Sequence, residues 1–77
     1  MSWNYRLVKF EFEAEGYVEP YIALMEVYYD PDGNPNSFCS PRICGETLEE
    51  VQSSIDRVMV AGAKPILIAK DLGWRLN

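Results

Sequence analysis

The stretch Gly45-Glu46-Thr47-Leu48-Glu49-Glu50-Val51 decides the fold, because the period of the apolar residues changes across it. Thr47 followed three residues later by Glu50 is a capping box, and Glu49 and Glu50 lie where a helix dipole favours anions. Beyond it Leu48, Val51, Ile55, Val58 and Met59 recur at helical spacing, while Glu50, Ser53, Ser54 and Arg57 stay polar. Gly62 and Pro65 close the element. The spacing predicts one helix over 47–61, with those apolar residues turned inward.

Upstream of Thr47 the period is two. Tyr5, Leu7, Lys9, Glu11 and Glu13 fall on one side, and Asn4, Arg6, Val8, Phe10 and Phe12 on the other, which predicts a strand over 3–14. Glu15-Gly16-Tyr17-Val18-Glu19-Pro20 interrupts the alternation with Gly and Pro. A second strand over 20–30 then carries Tyr21, Ala23, Met25, Val27 and Tyr29 on one face and Ile22, Leu24, Glu26 and Tyr28 on the other. Asp30-Pro31-Asp32-Gly33-Asn34-Pro35-Asn36 is a turn. A third strand follows over 37–43, with Pro41 marking an edge or a break. The expected architecture is a single α+β domain, 1–77: a three-stranded antiparallel sheet packed on one helix. A C-terminal extension, 65–77, holds an extended Pro65-Ile66-Leu67-Ile68-Ala69 run and the apolar Leu72, Trp74 and Leu76.

At 77 residues the chain has room for one core, which without a staple or partner supplies roughly 3–5 kcal/mol of net stability. It is 48% hydrophobic and 25% charged, an ordinary globular composition, with a formal charge of −5. The charge is uneven: residues 1–50 hold ten acids against three bases, and residues 51–77 hold two acids against four bases. A surface of that sign repels phosphate, so direct binding of nucleic acid is not expected. No apolar run approaches the roughly 20 residues that span a bilayer, and the start lacks a basic region followed by an apolar signal core. The expected location is the cytoplasm.

Little in the chain suggests catalysis or metal. There is no histidine, so Cys39 and Cys44, a C-x4-C pair, fall short of a four-ligand zinc site. They read as small, half-buried thiols in a strand. Asp30-Pro31-Asp32-Gly33 opens like a calcium loop, but its glycine is two places early and Pro41 stands where the bidentate glutamate belongs. Nucleophilic catalysis lacks a base beside a serine or cysteine. Paired carboxylates need a pocket that separates their pKa values, which a unit this small seldom encloses. No cofactor, metal or enzymatic activity is expected.

The residues support recognition better. Same-face residues on a strand lie about 6.6–6.8 Å apart. Glu11, Glu13 and Glu15, with Glu19 and Glu26, are therefore candidates for a line of negative charge presented to a basic groove, with Tyr28 as a desolvated anchor. The same carboxylates also serve as solvated edge charges that discourage aggregation. Ile22, Leu24 and Tyr28 form an apolar stripe on the sheet face opposite Met25 and Val27. If the helix covers Met25 and Val27, that stripe needs either the tail or a second copy as cover, so self-association is expected there.

The strand-strand-strand-helix order, with Gly45-Glu46-Thr47-Leu48-Glu49-Glu50-Val51 opening the helix, resembles the N-terminal module of HicB-type antitoxins, whose helix starts with a G-[DE]-T-x-E-E-A-like motif. Trp3-Asn4-Tyr5-Arg6 and Glu26-Val27-Tyr28-Tyr29-Asp30 are similar to small bacterial and phage proteins without assigned function. The resemblance covers about residues 3–62. HicB antitoxins add a C-terminal DNA-binding domain for which this sequence has no counterpart, so the resemblance implies toxin or protein binding alone. The function expected is that of a small acidic, non-enzymatic inhibitor, antitoxin-like or phage anti-defence (anti-CRISPR-like), that blocks a basic surface of a partner protein. The alternative is a homodimeric accessory module with no inhibitory role.

Overall fold

The computed structural model describes residues 2–75 of the chain. Its elements run β1 (Ser2–Ala14), β2 (Tyr17–Tyr29), β3 (Pro35–Cys39), α1 (Leu48–Gly62), β4 (Leu67–Ile68) and α2 (Ala69–Leu72). The class is α+β, as the change of period implies, but the sheet is four-stranded and mixed, in the order β3-β2-β1-β4. That corrects the three-stranded antiparallel expectation. After β3 the chain crosses one face of the sheet through α1 and re-enters beyond β1, where Leu67 and Ile68 pair parallel to Val8 and Lys9. A crossover connection of this kind is what a parallel strand requires. Of the apolar tail residues, Leu76 lies outside the described residues.

The first hairpin is longer than its Gly and Pro suggest. β1 and β2 pair in register from Ser2↔Tyr29 to Ala14↔Tyr17, closed by Glu15 and Gly16 at φ 52° and 88°. Two successive positive φ values make the primed turn whose twist matches paired strands, and glycine takes the second without steric cost. Pro20 is no terminator here, because β3 pairs with β2 only from Glu26 onward. A strand tolerates proline where its nitrogen faces an open edge. β3 ends at Cys39 and not at 43: past it the backbone leaves the sheet, the Arg42 N–H donates to Glu26 Oε2 at 2.8 Å, and the Tyr5 hydroxyl donates to the Arg42 carbonyl at 2.9 Å.

Thr47 caps α1 as its N-cap, accepting the Glu50 N–H on Oγ1 at 3.2 Å. The return bond shifts by one residue: Glu50 Oε2 accepts from the Glu46 N–H at 2.7 Å and not from Thr47. Gly45 permits this close turn, since a Cβ there would lie 2.6 Å from Glu50 Cβ. Thr47→Ala is expected to cost about 0.5–2 kcal/mol, read as a lower thermal midpoint; an unchanged midpoint would remove the cap from the account.

The two sheet faces are covered differently from the expectation. Val8 and Phe10 join Met25 and Val27 on one face, and Ala69 of α2 completes this buried cluster, with Phe38, Leu67 and Trp74 packed against it. The Trp74 ring lies 4.9 Å from Phe38, which lies 5.4 Å from Phe10. The tail therefore covers Met25 and Val27. The opposite face carries Trp3, Tyr5, Leu7, Leu24 and Tyr28, and α1 runs beside β1 there, its Arg57 guanidinium 5.9 Å from the Trp3 ring centre. Aromatic Trp3 holds this cation through its ring face.

Candidate functional site

Thirteen residues of extended chain span about 43 Å, close to the molecule's longest dimension of 46 Å. Of the buried residues of this hairpin, Tyr5, Val8, Phe10, Met25 and Val27, none lies closer to the turn than Phe10. Residues 11–13 and 15–22 are exposed. The turn end of the hairpin, residues 11–22, is thus an arm projecting from the domain. An isolated two-stranded hairpin is marginal in water. Here the 5.5 Å edge contact of Phe12 with Tyr21 and the tight turn support it.

Charge on the arm is of one sign. Glu11, Glu13, Glu15 and Glu19 lie there, and no lysine or arginine occurs between Lys9 and Arg42. Arg6, the nearest arginine, is occupied elsewhere, donating to the Pro65 carbonyl at 2.6 Å and the Tyr29 hydroxyl at 3.2 Å. The carboxylates do not form the one-faced line expected of them. Glu11 and Glu13 share the α1 face, Glu15 sits in the turn, and Glu19, opposite Phe12, belongs to the other face. Negative charge therefore wraps the arm. Between the carboxylates stand Tyr17, Val18, Tyr21 and Ile22, each about half exposed.

Glu26 and Tyr28 stand apart from the arm, in an internal network. Glu26 Oε1 accepts from the Tyr28 hydroxyl at 2.9 Å and from Cys39 Sγ at 3.7 Å, while Oε2 accepts from Arg42. Cys39 Sγ also lies 3.7 Å from the Tyr28 hydroxyl. Hydrogen bonds with Cys39, then with Glu26, push the Tyr28 phenol up to about 12. They favour the neutral phenol over the phenolate. A folded-state pKa raised above the unfolded value contributes stability that is present below about pH 10 and lost as pH rises through about 12. In a spectrophotometric titration of the folded protein one tyrosine is expected to ionise late, and Cys39→Ala should bring it back toward 10. A titration unaltered by that substitution would exclude Cys39 as the leading cause.

The apolar stripe proposed from sequence divides between arm and body: Ile22 is exposed, whereas Leu24 and Tyr28 are half-buried. Both cysteines are free and exposed, and Cys44 lies outside any strand, which corrects the half-buried reading. A second apolar surface escaped the sequence. Leu48, Ile55 and Met59, expected inward, are 76%, 41% and 72% exposed. At 100° per residue these three share a stripe distinct from that of Val51, Ser54, Val58 and Ala61. Only Ala61 of α1 is fully buried. The signal was an apolar arc too wide for one contact face.

Among the described residues there is no group of three or more histidine, cysteine, aspartate or glutamate side chains placed to hold a metal, and no helix long and apolar enough to cross a membrane. A scan against protein-family models, a search of curated proteins and a search of solved structures each return no match.

Proposed function

We propose that this chain is a small non-enzymatic inhibitor, of the antitoxin or phage anti-defence kind, that acts in the cytoplasm by laying its acidic hairpin arm against a basic surface of a partner protein. The observation that carries the reading is the arm itself: exposed on both faces, bearing Glu11, Glu13, Glu15 and Glu19 with no base among them, and interleaved with half-exposed aromatic and aliphatic side chains. Charge steers such an arm to its target, and desolvated aromatic groups hold it there. The HicB-like helix start supports the same class, since it implies protein binding through the βββα unit. Glu26 and Tyr28 act from behind, shaping the sheet through their internal bonds. The test is a pull-down from the native host, followed by measuring affinity for the captured protein across salt concentrations. Affinity should fall steeply with ionic strength, because exposed charges are screened within about 8 Å at physiological salt; salt-indifferent binding would overturn the proposal.

The exposed α1 stripe of Leu48, Ile55 and Met59 favours a second reading, a homodimeric accessory module. In that case sedimentation equilibrium finds a dimer that Ile55→Glu dissociates, and a clean monomer at high concentration removes it.

A further inference from the structure

β4 pairs with only Val8 and Lys9 of β1, then turns into α2. From Glu11 to Glu13 the outer edge of β1 has no strand partner among the described residues. A groove of about 560 Å³ runs along this open stretch, between Phe10, Glu11, Phe12 and Glu13 on one side and the α2 end of the chain on the other. The second wall is formed by Lys70, Trp74 and Arg75 with Gly73. The opposite edge of the arm, along β2, contains Pro20, which has no N–H to offer a new strand. Proline is accommodated in a strand where its nitrogen faces outward; with Pro20 so placed, its partner Glu11 turns its own N–H and C=O toward the groove. Alternation gives Glu13 the same direction. The arm thus has one blunted edge and one edge able to pair.

We propose that the open β1 edge at Glu11–Glu13 is a strand-addition site, which takes an extended partner segment with lysine or arginine at alternate positions and apolar residues between them. The inference rests on the protein-binding reading above and names the form of the partner. Side chains of an added strand alternate between the two faces. One set stands beside Glu11 and Glu13, where opposite charges across strands are favourable and like charges are not. The other set falls on the face of Phe10, Phe12 and Trp74, where Lys70 and Arg75 line the wall and repel basic groups. Acid on one face and base on the other therefore fix which way up the segment lies. The same carboxylates disfavour a second copy as occupant: two β1 edges paired antiparallel about Phe12 would set Glu11 against Glu13 of the other copy.

The test uses isotope-labelled full-length protein and a capped eight-residue peptide with Lys and Val at alternate positions. Binding should slow amide exchange at Glu11 and Glu13, and N-methylating the peptide amides along one edge should weaken it at least about tenfold, which corresponds to about 1.4 kcal/mol. Scrambling the order into a lysine block and a valine block should weaken it similarly. Glu11→Lys/Glu13→Lys should abolish the response while leaving exchange at Val8 and Val27 unchanged, which separates lost binding from lost fold. Equal binding of all three peptides would overturn strand addition and leave the acidic-arm reading standing. Failure of every peptide to bind at low salt would overturn both. Concentration-dependent protection of Glu11 and Glu13 without peptide would assign the edge to a second copy and overturn the proposal.

Discussion

Phe10→Ala is expected to abolish cooperative unfolding at room temperature. Phe10 is 2% exposed and stands at the junction of everything that closes the core: Val8 beside it on β1, Met25 and Val27 across the hairpin, Ala69 above, and the Phe38 ring 5.4 Å away. Removing a buried phenylalanine costs about 3–5 kcal/mol, through lost transfer energy and the cavity that remains. A single core in a domain this short supplies about the same amount. The effect should also reach the tail, because the Phe10–Phe38–Trp74 chain of rings holds the segment after β4 against the sheet. Urea or thermal unfolding, followed by tryptophan fluorescence, checks this. Phe12→Ala provides the comparison: one register step along the same face, Phe12 is 41% exposed and belongs to the arm, so its loss should stay below about 1 kcal/mol. Equal midpoints for the two variants would mean that the core does not end where the structure ends it.

The second large effect concerns association. Reversing Glu11, Glu13, Glu15 and Glu19 to lysine changes the arm's charge by eight while leaving every buried residue in place. Fields of this kind raise association rates by about 10–10³-fold at low salt. The quadruple variant should therefore bind the captured partner at least about tenfold more slowly, with its remaining rate rising as salt is added, the reverse of the native dependence. Dissociation should change less, since the aromatic and aliphatic contacts of Tyr17, Tyr21 and Ile22 persist. Stopped-flow or surface-based kinetics at two salt concentrations separate the two rates. An association rate indifferent to the reversal would dismiss the arm as the docking element. Unfolding of the variant would be visible as loss of exchange protection at Val8 and Val27, apart from any change in binding.

Much of this was legible locally. Thr47 and Glu50 act through hydrogen bonds, and Gly45 through the room its missing Cβ leaves, all on residues within five positions, so the helix start followed from spacing. The alternation of Asn4 to Phe12 against Tyr21 to Tyr29 correctly separated the two faces of the hairpin, because a side-chain period of two leaves no choice once a strand forms. The acidic bias was also plain, although its one-faced arrangement was not: whether Glu15 continues a strand or turns it depends on a backbone conformation that glutamate seldom adopts and that Gly16 makes affordable.

What remained illegible depends on contacts between distant residues. Pro20 looks like a terminator until the strand beside it is seen to be missing, and that absence is decided by where β3 stops. Leu48, Ile55 and Met59 have the spacing of a core face, yet the sheet beneath α1 contacts a different flank of the helix.

Local pattern along the chain specified β1, β2, the start of α1, the two faces of the hairpin and the sign of the surface, since capping, side-chain period and charge are properties of neighbours in sequence. That α2 and Trp74, rather than α1, close over Val8, Phe10, Met25 and Val27, and that β4 stops after two residues and leaves Glu11–Glu13 unpaired, came from the assembled fold. Hydrophobic burial is non-directional: two apolar segments competing for one sheet face are chosen between by the geometry of the crossover that delivers them, and no local pattern records that geometry.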